Sequence, residues 1–530
     1  MPRVQLRSSV RYVSPSILRW DRGVLAFALV MLAFLFWRNI MLASRLIDGV
    51  RYFVLDDDMM ISMRYGRNLV EGHGLVWNPG ERVEGYTNFL WTLVMAGVHL
   101  LPVSDANISL VVKGLNFALL GGSLHLGMRI VRLFAPRSYL ATPILLVSVI
   151  TCVDVLHWSV WGFETTLLTF LNLLFLACLF EDRRLFLGYL ALALIPLTRS
   201  DALYVFAANA VIALVVARRP IATLSWLMLA IVPWACHLAF RRWYYGEWLP
   251  NTYYLKVYQL DGVQARGVVY ARSFLLRYAV PLVLAVGSAL AIAKNDRRGI
   301  ALFVTVLATL GYVTRTGGDM FGNFRFFAHV MPVIFVFAAA GVATIAHGKL
   351  PALVWSGVLF VVAFPLWRPM NQLVALDTNG DPYEQLQTAM LVRKNARPDS
   401  TVAVIPAGIL PYFTRLRAID VLGKTDKHIA RLTPYPGAMV GHGKLDPTYS
   451  LSSKPDLVVS CRSHSVVQSL PTDQRTTDVV LSFLASRAFQ QTYRGNPIHE
   501  DFLVGRTAVY THPGSKEFAT RTWKSVQVQP

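Results

Sequence analysis

Charge is what this chain has least of. Only 15% of its 530 residues are Asp, Glu, Lys or Arg, while 54% are hydrophobic and the mean hydropathy is +0.45. Globular domains carry about 25% charged residues, so the composition excludes a soluble globular protein and leaves a polytopic membrane protein. Cysteine is nearly as scarce. Of the four, Cys152, Cys178 and Cys236 lie within apolar runs and only Cys461 lies outside them, which excludes a disulfide framework; no cysteine or histidine spacing suits zinc. Internal repeats and low-complexity tracts are missing too, and with them the inverted-repeat signature of many secondary transporters. Acids are the scarcer charge: 31 Asp and Glu against 51 Lys and Arg give a formal net charge of +20. The basic residues come in short clusters between apolar runs, the pattern of topology signals and anionic headgroup contacts rather than of a nucleic-acid surface.

A helix needs about 17–25 largely apolar residues to span a bilayer. Candidates stand near 24–42, 107–128, 139–157, 162–180, 185–198, 202–217, 221–240, 275–293, 299–313, 326–346 and 350–367, eleven in all. Arg3, Arg7, Arg11, Arg19 and Arg22 precede or open the first, which reads as a retained helix with a cytoplasmic start. A twelfth run, 89–101, is shorter and follows a polar loop. Read as interfacial or re-entrant, it places the basic loop Arg129, Arg132 and Arg137 inside. Arg183-Arg184, Arg218-Arg219, Lys294 with Arg297-Arg298, and Lys349 then fall on the same cytoplasmic side. The expected fold class is therefore an α-helical polytopic membrane protein of about eleven spans with a C-terminal soluble α/β domain. Residues 1–23 form a cytoplasmic basic N-terminus, 24–367 the transmembrane domain with a large first outer loop at 43–106, and 368–530 the extracytoplasmic domain. That last domain is read from short β-branched runs at 401–405, 457–459 and 504–510 between helical patterns at 381–395 and 477–489.

This topology gathers the polar chemistry on the outer face. Its densest point is Asp56-Asp57-Asp58, just past the first span, in a segment that runs on to Glu84. Three adjacent carboxylates repel one another, so a metal, a cationic partner or a proton-transfer task is implied. The ordinary alternative is a solvated helix start, where acids favour the first turn. Glu164 opens the run 162–180 on the same side, and helix capping explains it equally well. Arg199 and Asp201 read as an ion pair at a helix end or as donor contacts. Asn251, Tyr253, Tyr254 and Lys256 lie in an aromatic outer loop that an interfacial belt would also produce. Asp319 and Arg325 follow two glycines and would serve a simple turn as readily. Asp426, His442 and Lys444 are candidates for acceptor contact in the soluble region, although His442 and His73, each flanked by glycines, also read as turn residues.

Nucleotide-activated substrates are not supplied outside the cytoplasmic membrane, so a group-transfer enzyme there needs a donor delivered within it. A lipid phosphate carrying a sugar fits. Transfer to a hydroxyl requires a base for the acceptor proton and a cationic pocket for the departing phosphate. A clustered aspartate of the run Asp56, Asp57 and Asp58 suits the first task, with Glu84 and Glu164 next in line, and Lys256, Arg199 and Arg325 suit the second. No cofactor is required. The acidic cluster offers oxygen ligands to a divalent cation, but Lys and Arg make one unnecessary by neutralising a monophosphate themselves. The rival from another class is a transporter or lipid flippase, which would hold its paired charges near the midplane rather than at the outer ends.

The run Asp57-Asp58, Ile61-Ser62, Arg64-Tyr65, Arg67-Asn68-Leu69, Gly72-His73-Gly74-Leu75-Val76, Asn78-Pro79-Gly80-Glu81 and Val83-Glu84-Gly85-Tyr86-Thr87-Asn88 resembles the first outer loop of the mycobacterial terminal β-(1→2)-arabinofuranosyltransferases. The same family includes arabinosyltransferases that modify type IV pilins. Further matches are Gly162-Phe163-Glu164-Thr165, Tyr245-Gly246 with Leu249-Pro250-Asn251-Thr252, Tyr254 and Lys256, Gly318-Asp319 with Arg325-Phe326, and Asp420, Gly423, Thr425-Asp426 and Ile429-Ala430, in order along most of the chain. The resemblance implies a GT-C membrane glycosyltransferase in a bacterial cytoplasmic membrane. Its donor would be decaprenyl-phosphate arabinofuranose or a related polyprenyl phosphosugar, its base an acid of the first outer loop with Asp57 or Asp58 taking precedence by the family register, its acceptor a cell-envelope glycan or a pilin, and its mechanism inverting. Transfer of another lipid-linked sugar, mannose or aminoarabinose, is the alternative within the class. Three positions depart from the family pattern: the third aspartate in the row, Asp201 where a Glu is more familiar, and Lys424 in place of a Leu.

Overall fold

The computed structural model describes residues 13–42, 44–257, 262–319, 321–346, 382–435, 441–460, 483, 486–493, 508–511 and 528–529. The apolar runs become helices. In chain order these are α1 (Pro15–Leu42), α2 (Asp57–Val70), α3 (Phe89–His99), α4 (Ile108–Phe134), α5 (Ala141–Ile150), α6 (Val153–Val160), α7 (Thr165–Glu181), α8 (Leu185–Thr198), α9 (Leu203–Val216), α10 (Pro220–Tyr245), α11 (Asn251–Lys256), α12 (Val263–Arg277), α13 (Ala279–Ala293), α14 (Ile300–Thr316) and α15 (Met331–Ala346). Among the described residues α1, α4, α10 and the stretch Arg297–Thr316 are each long and apolar enough to cross a membrane. Two more crossings are broken. The pair α5 and α6 bends by 55° and the pair α12 and α13 by 80°, and the breaks touch, since the Tyr278 hydroxyl donates to Asp154 and Arg277 stands 3.5 Å from it. The shorter α7, α8, α9 and α15 pack among these. The eleventh expected run, 350–367, lies outside the described residues, as does most of the helix expected over 477–489.

Helix α3 is the twelfth run, and its 11 residues rise only about 16 Å, half a bilayer core. Both its ends meet the same layer of the molecule. Thr87, just before it, accepts from the backbone N–H of Ser200 at the C-terminal end of α8, and His99 at its last turn lies 3.0 Å from the Tyr412 hydroxyl of the C-terminal region. It lies so close on α2 that a β-carbon at Gly66 would stand 2.8 Å from the backbone of Ala96.

Beyond the helices lies a mixed sheet. Strands β3 (Thr401–Val404), β4 (Arg417–Asp420), β5 (Leu457–Ser460) and β6 (Ala508–Thr511) follow the order β4-β3-β5-β6, parallel except for the β5–β6 pair. Helices α16 (Pro382–Asn395) and α17 (Ile409–Thr414) pack on each other beside it, and the short α18 (Lys427–Ala430) follows β4. A second sheet pairs β1 (Ser44–Ile47) with β2 (Val50–Phe53) and with the distant strand β7 (Val528–Gln529).

The first outer loop and the C-terminal sheet share one apolar core that includes Met60, Trp77, Trp91, Val404, Leu410 and Tyr412. Polar contacts lock the two together. The buried Arg64 guanidinium donates to the carbonyls of Trp77 at 2.6 Å, Leu416 at 2.8 Å and Pro411, Arg67 reaches the Tyr412 carbonyl at 2.8 Å, and Asn78 exchanges hydrogen bonds with the Ala418 backbone. Much of the loop motif is thus a clamp that presses the N-terminal end of α2 against the sheet.

Candidate active site

The acid run sits where that clamp meets the end of the helical bundle. Asp56 is the N-cap of α2, its carboxylate accepting the Asp58 backbone N–H at 3.0 Å, and Asp57 and Asp58 in the first turn complement the helix dipole. This is the ordinary helix start. The surroundings exceed it. Asp57 Oδ1 accepts from the backbone N–H groups of Gly408 at 3.0 Å and Ile409 at 2.8 Å, at the beginning of α17. Asp58 Oδ1 pairs with the Lys424 ammonium at 2.5 Å, and Asp58 Oδ2 faces the Arg325 guanidinium at 3.9 Å. Among the described residues no three Asp, Glu, His or Cys side chains converge as metal ligands would.

These contacts split the three acids electrostatically. Burial works against the charge of Asp58, but Lys424 first, then Lys256 and Arg325, hold its carboxyl well below the usual range. Asp57 is pushed upward by burial, against the pull of Lys424 and its backbone donors. Asp56 is pushed up to about 7, by burial and then by the neighbouring charge of Asp58. Burial thus raises Asp56 and Asp57, while the cations lower Asp58.

Three cations from three separate segments surround the acids. Arg325 is braced by Asp319, 2.7 Å away, and lies 5.1 to 5.6 Å from the ring centroids of Trp158, Phe163, Phe321 and Phe326, an aromatic setting that suits a guanidinium. Lys256 ends α11. Its stem runs against Gly441, where a β-carbon would come within 3.0 Å and φ is +77°, so only glycine leaves room for it there. Among the described residues its ammonium has no hydrogen-bond or ion-pair partner, and burial holds its pKa down despite Asp58.

The third cation, Lys424, was not among the expected site residues. A tightly made loop delivers it. Asp420 at the end of β4 accepts from the N–H groups of Leu422, Gly423 and Thr425 and from the Thr425 hydroxyl, at 2.7 to 3.1 Å. From the other side the Asn251 amide donates to the carbonyls of Gly423, Lys424 and Asp426 at 2.9 to 3.1 Å. Its departure from the family pattern is the one sequence signal.

Several expected site residues turn out to be committed elsewhere. Glu84 is buried in a two-pronged pair with Arg241 at 2.5 and 3.1 Å. Glu164 binds Arg199 at 2.8 Å and accepts from Asn88 at 3.2 Å. The remaining Arg199 donors go to Asp201, at 2.9 and 3.0 Å, and Tyr312 adds a hydroxyl there at 2.7 Å. Arg199 therefore lies between two carboxylates, in the ion pair with Asp201 and in a second with Glu164. Asn251 holds the Lys424 loop rather than a ligand. Tyr254 lies under Arg431 at 4.2 Å, Tyr253 is exposed, and the buried Lys444 ammonium donates to the carbonyls of Tyr254 and Ala430. Asp426 caps α18 and accepts from Tyr449. His442 is half-buried and follows Gly441, the residue packed against the stem of Lys256.

Comparison with known proteins bears on the fold and on about half of the chain. A domain of unknown function (DUF8728) matches residues 376–513. The terminal β-(1→2)-arabinofuranosyltransferase of Mycobacterium tuberculosis is 30% identical over 288 residues, which cover 49% of this chain and 44% of that protein; the chain thus matches less than half the length of its curated relative. Among solved structures, ArnT from Cupriavidus metallidurans in the apo state matches with a TM-score of 0.57 at 12% identity, covering 92% of this chain and 98% of that one. The same protein bound to undecaprenyl phosphate gives 0.50, at 12% identity over 93% and 98%. The mycobacterial arabinofuranosyltransferase AftD gives 0.50 at 14% identity, covering 93% of this chain and 40% of that one. The chain has the fold of the GT-C glycosyltransferases, and about half of it is homologous to a terminal arabinofuranosyltransferase.

Proposed function

We propose that the chain transfers a pentofuranose, D-arabinofuranose before other sugars, from a polyprenyl-phosphate donor to a hydroxyl of a cell-envelope glycan or a pilin. The observation that carries this reading is the convergence of Lys256, Arg325 and Lys424 on the acid run at one end of an apolar bundle. A monophosphate set among them would take charge-assisted hydrogen bonds, Lys256 being the one of the three without a partner among the described residues. The undecaprenyl phosphate of the ArnT complex supports a lipid phosphate as the ligand.

In the reaction the acceptor oxygen attacks the anomeric carbon from the face opposite the phosphate. The bond from that carbon to the phosphate oxygen breaks, the electron pair leaves with the lipid phosphate, and the hydroxyl proton passes to a carboxylate, giving inversion. Asp58 is a poor base because its cations hold it ionised. Asp56, poised near neutrality, is the better matched one, which reverses the order expected from the motif. Asp58 instead keeps Lys424 and Arg325 in place until the phosphate gains charge and draws on them. The basic loops 129–137, 183–184, 218–219 and 294–298 lie at the other end of the bundle, so the positive-inside bias assigns the site to the extracytoplasmic side.

Purified protein incubated with synthetic decaprenyl-phosphate arabinofuranose and glycan or pilin acceptors is expected to form a glycoside whose anomeric configuration is opposite to that of the donor. Transfer only from a mannosyl or aminoarabinosyl lipid would keep the enzyme class and replace the sugar. No transfer from any lipid phosphosugar would remove the reading.

A further inference from the structure

The end of the bundle opposite the acid run holds a cleft of about 1930 Å³ between the starts of α1, α8 and α10 and the ends of α4, α7, α9 and α13. Pockets that hold drug-sized molecules measure about 300–1,000 Å³, so the space exceeds what a small soluble metabolite needs. Its walls are apolar, with Leu25, Phe134, Trp226 and Leu284 among them, and its rim is arginine.

The charges of the rim do not cancel. Its four acids are each matched to one arginine: Asp21 with Arg132 at 2.6 Å, Glu181 with Arg129 at 2.9 Å, Asp182 with Arg218 at 3.4 Å and Asp296 with Arg298 at 2.8 Å. Four further arginines line the same cleft, Arg22, Arg183, Arg219 and Arg297, and among the described residues their guanidinium groups have no acidic partner. They come from four different segments: α1, the turn after α7, the turn after α9 and the turn before α14. Four such guanidinium groups carry more positive charge than one phosphate neutralises; a headgroup with two phosphates matches it better, and the planar guanidinium fork suits each phosphate. Acyl chains would lie along the apolar walls.

We infer that this cleft binds an anionic phospholipid whose headgroup carries two phosphates. Basic pockets between membrane helices recognise such headgroups, and this site is separate from the transfer chemistry at the other end.

The full-length protein in detergent can be given cardiolipin, phosphatidylcholine or inorganic pyrophosphate, with retained lipid read by native mass spectrometry and stability by the thermal midpoint. Cardiolipin should be retained and should raise the midpoint with concentration, while phosphatidylcholine and pyrophosphate should do neither. The double variant R219Q/R297Q should weaken retention about a hundredfold, about tenfold for each lost charge-assisted contact, and keep sugar transfer. The control Arg315→Gln, in the last turn of α14 at the other end, should bind as the unaltered protein does. If R219Q/R297Q fails to fold, R22Q/R183Q gives the same reading from the other two segments. Equal retention of phosphatidylcholine, unchanged retention by the arginine variants, or a pyrophosphate effect as large as that of cardiolipin would each overturn the inference.

Discussion

Asp56, Asp57 and Asp58 were legible as a group but not as individuals. Their clustering, position after the first span and motif context are properties of sequence, whereas the division of labour among them depends on Lys424, 366 residues away, and on which backbone N–H groups approach Asp57. Two predictions belong at this scale. Asp56→Asn should lower turnover about a hundredfold or more, the usual worth of a general base, and wild-type kcat/KM should rise with pH through about 7 and level off above it. A flat profile, or an active Asp56→Asn enzyme, would return the role to Asp57. The same carboxyl carries a stability signature. Its folded pKa is raised above the unfolded value of 3.8, so its contribution is fully present below about 4 and is lost as pH rises through about 7; Asp56→Asn should flatten that loss in thermal midpoints measured from pH 4 to 8. At the phosphate side, Lys256→Met should raise the donor KM more than it lowers kcat, and Arg325→Lys should not restore full binding, because the forked guanidinium and its aromatic seating are both lost.

Elements were read best where periodicity or length decided them. The apolar runs at 107–128, 185–198 and 202–217 coincide closely with α4, α8 and α9, and the β-branched runs near 401 and 457 with β3 and β5. Strand β4 was missed, since Arg417-Ala418-Ile419-Asp420 offers only two apolar residues between charges and is a strand because β3 pairs with it. The breaks at Cys152 and Tyr278 were also hidden, because apolar composition continues across them. Helix α17 shows how one element can set a site: a β-carbon at Gly408 would stand 1.8 Å from the Asp57 carbonyl oxygen, so Gly408→Ala must push the sheet away from α2. That substitution should lower the thermal midpoint and slow transfer together, by about 1–3 kcal/mol of overpacking. Asn251→Ala, which frees the loop holding Lys424, should slow transfer while leaving the midpoint closer to that of the unaltered protein.

For the whole molecule, the charge bias along the sequence anticipated the arrangement of the bundle, because positive clusters mark one end of each helix pair whatever the packing. It could not show that the first outer loop and the C-terminal sheet form one body, since that depends on Arg64, Arg67 and Asn78 finding carbonyls more than 330 residues away. If the acid run is extracytoplasmic, single cysteines placed at 183–184, 218–219 or 295–297 should resist an impermeant thiol reagent in intact cells, and cysteines at 80–82 should react. The most direct test of the central claim is a cryo-EM structure with decaprenyl phosphate bound. The phosphate is expected among Lys256, Arg325 and Lys424, within about 3 Å of at least two of their nitrogens, with its chain running into the bundle; a phosphate seated only in the arginine-lined cleft at the opposite end would contradict the account.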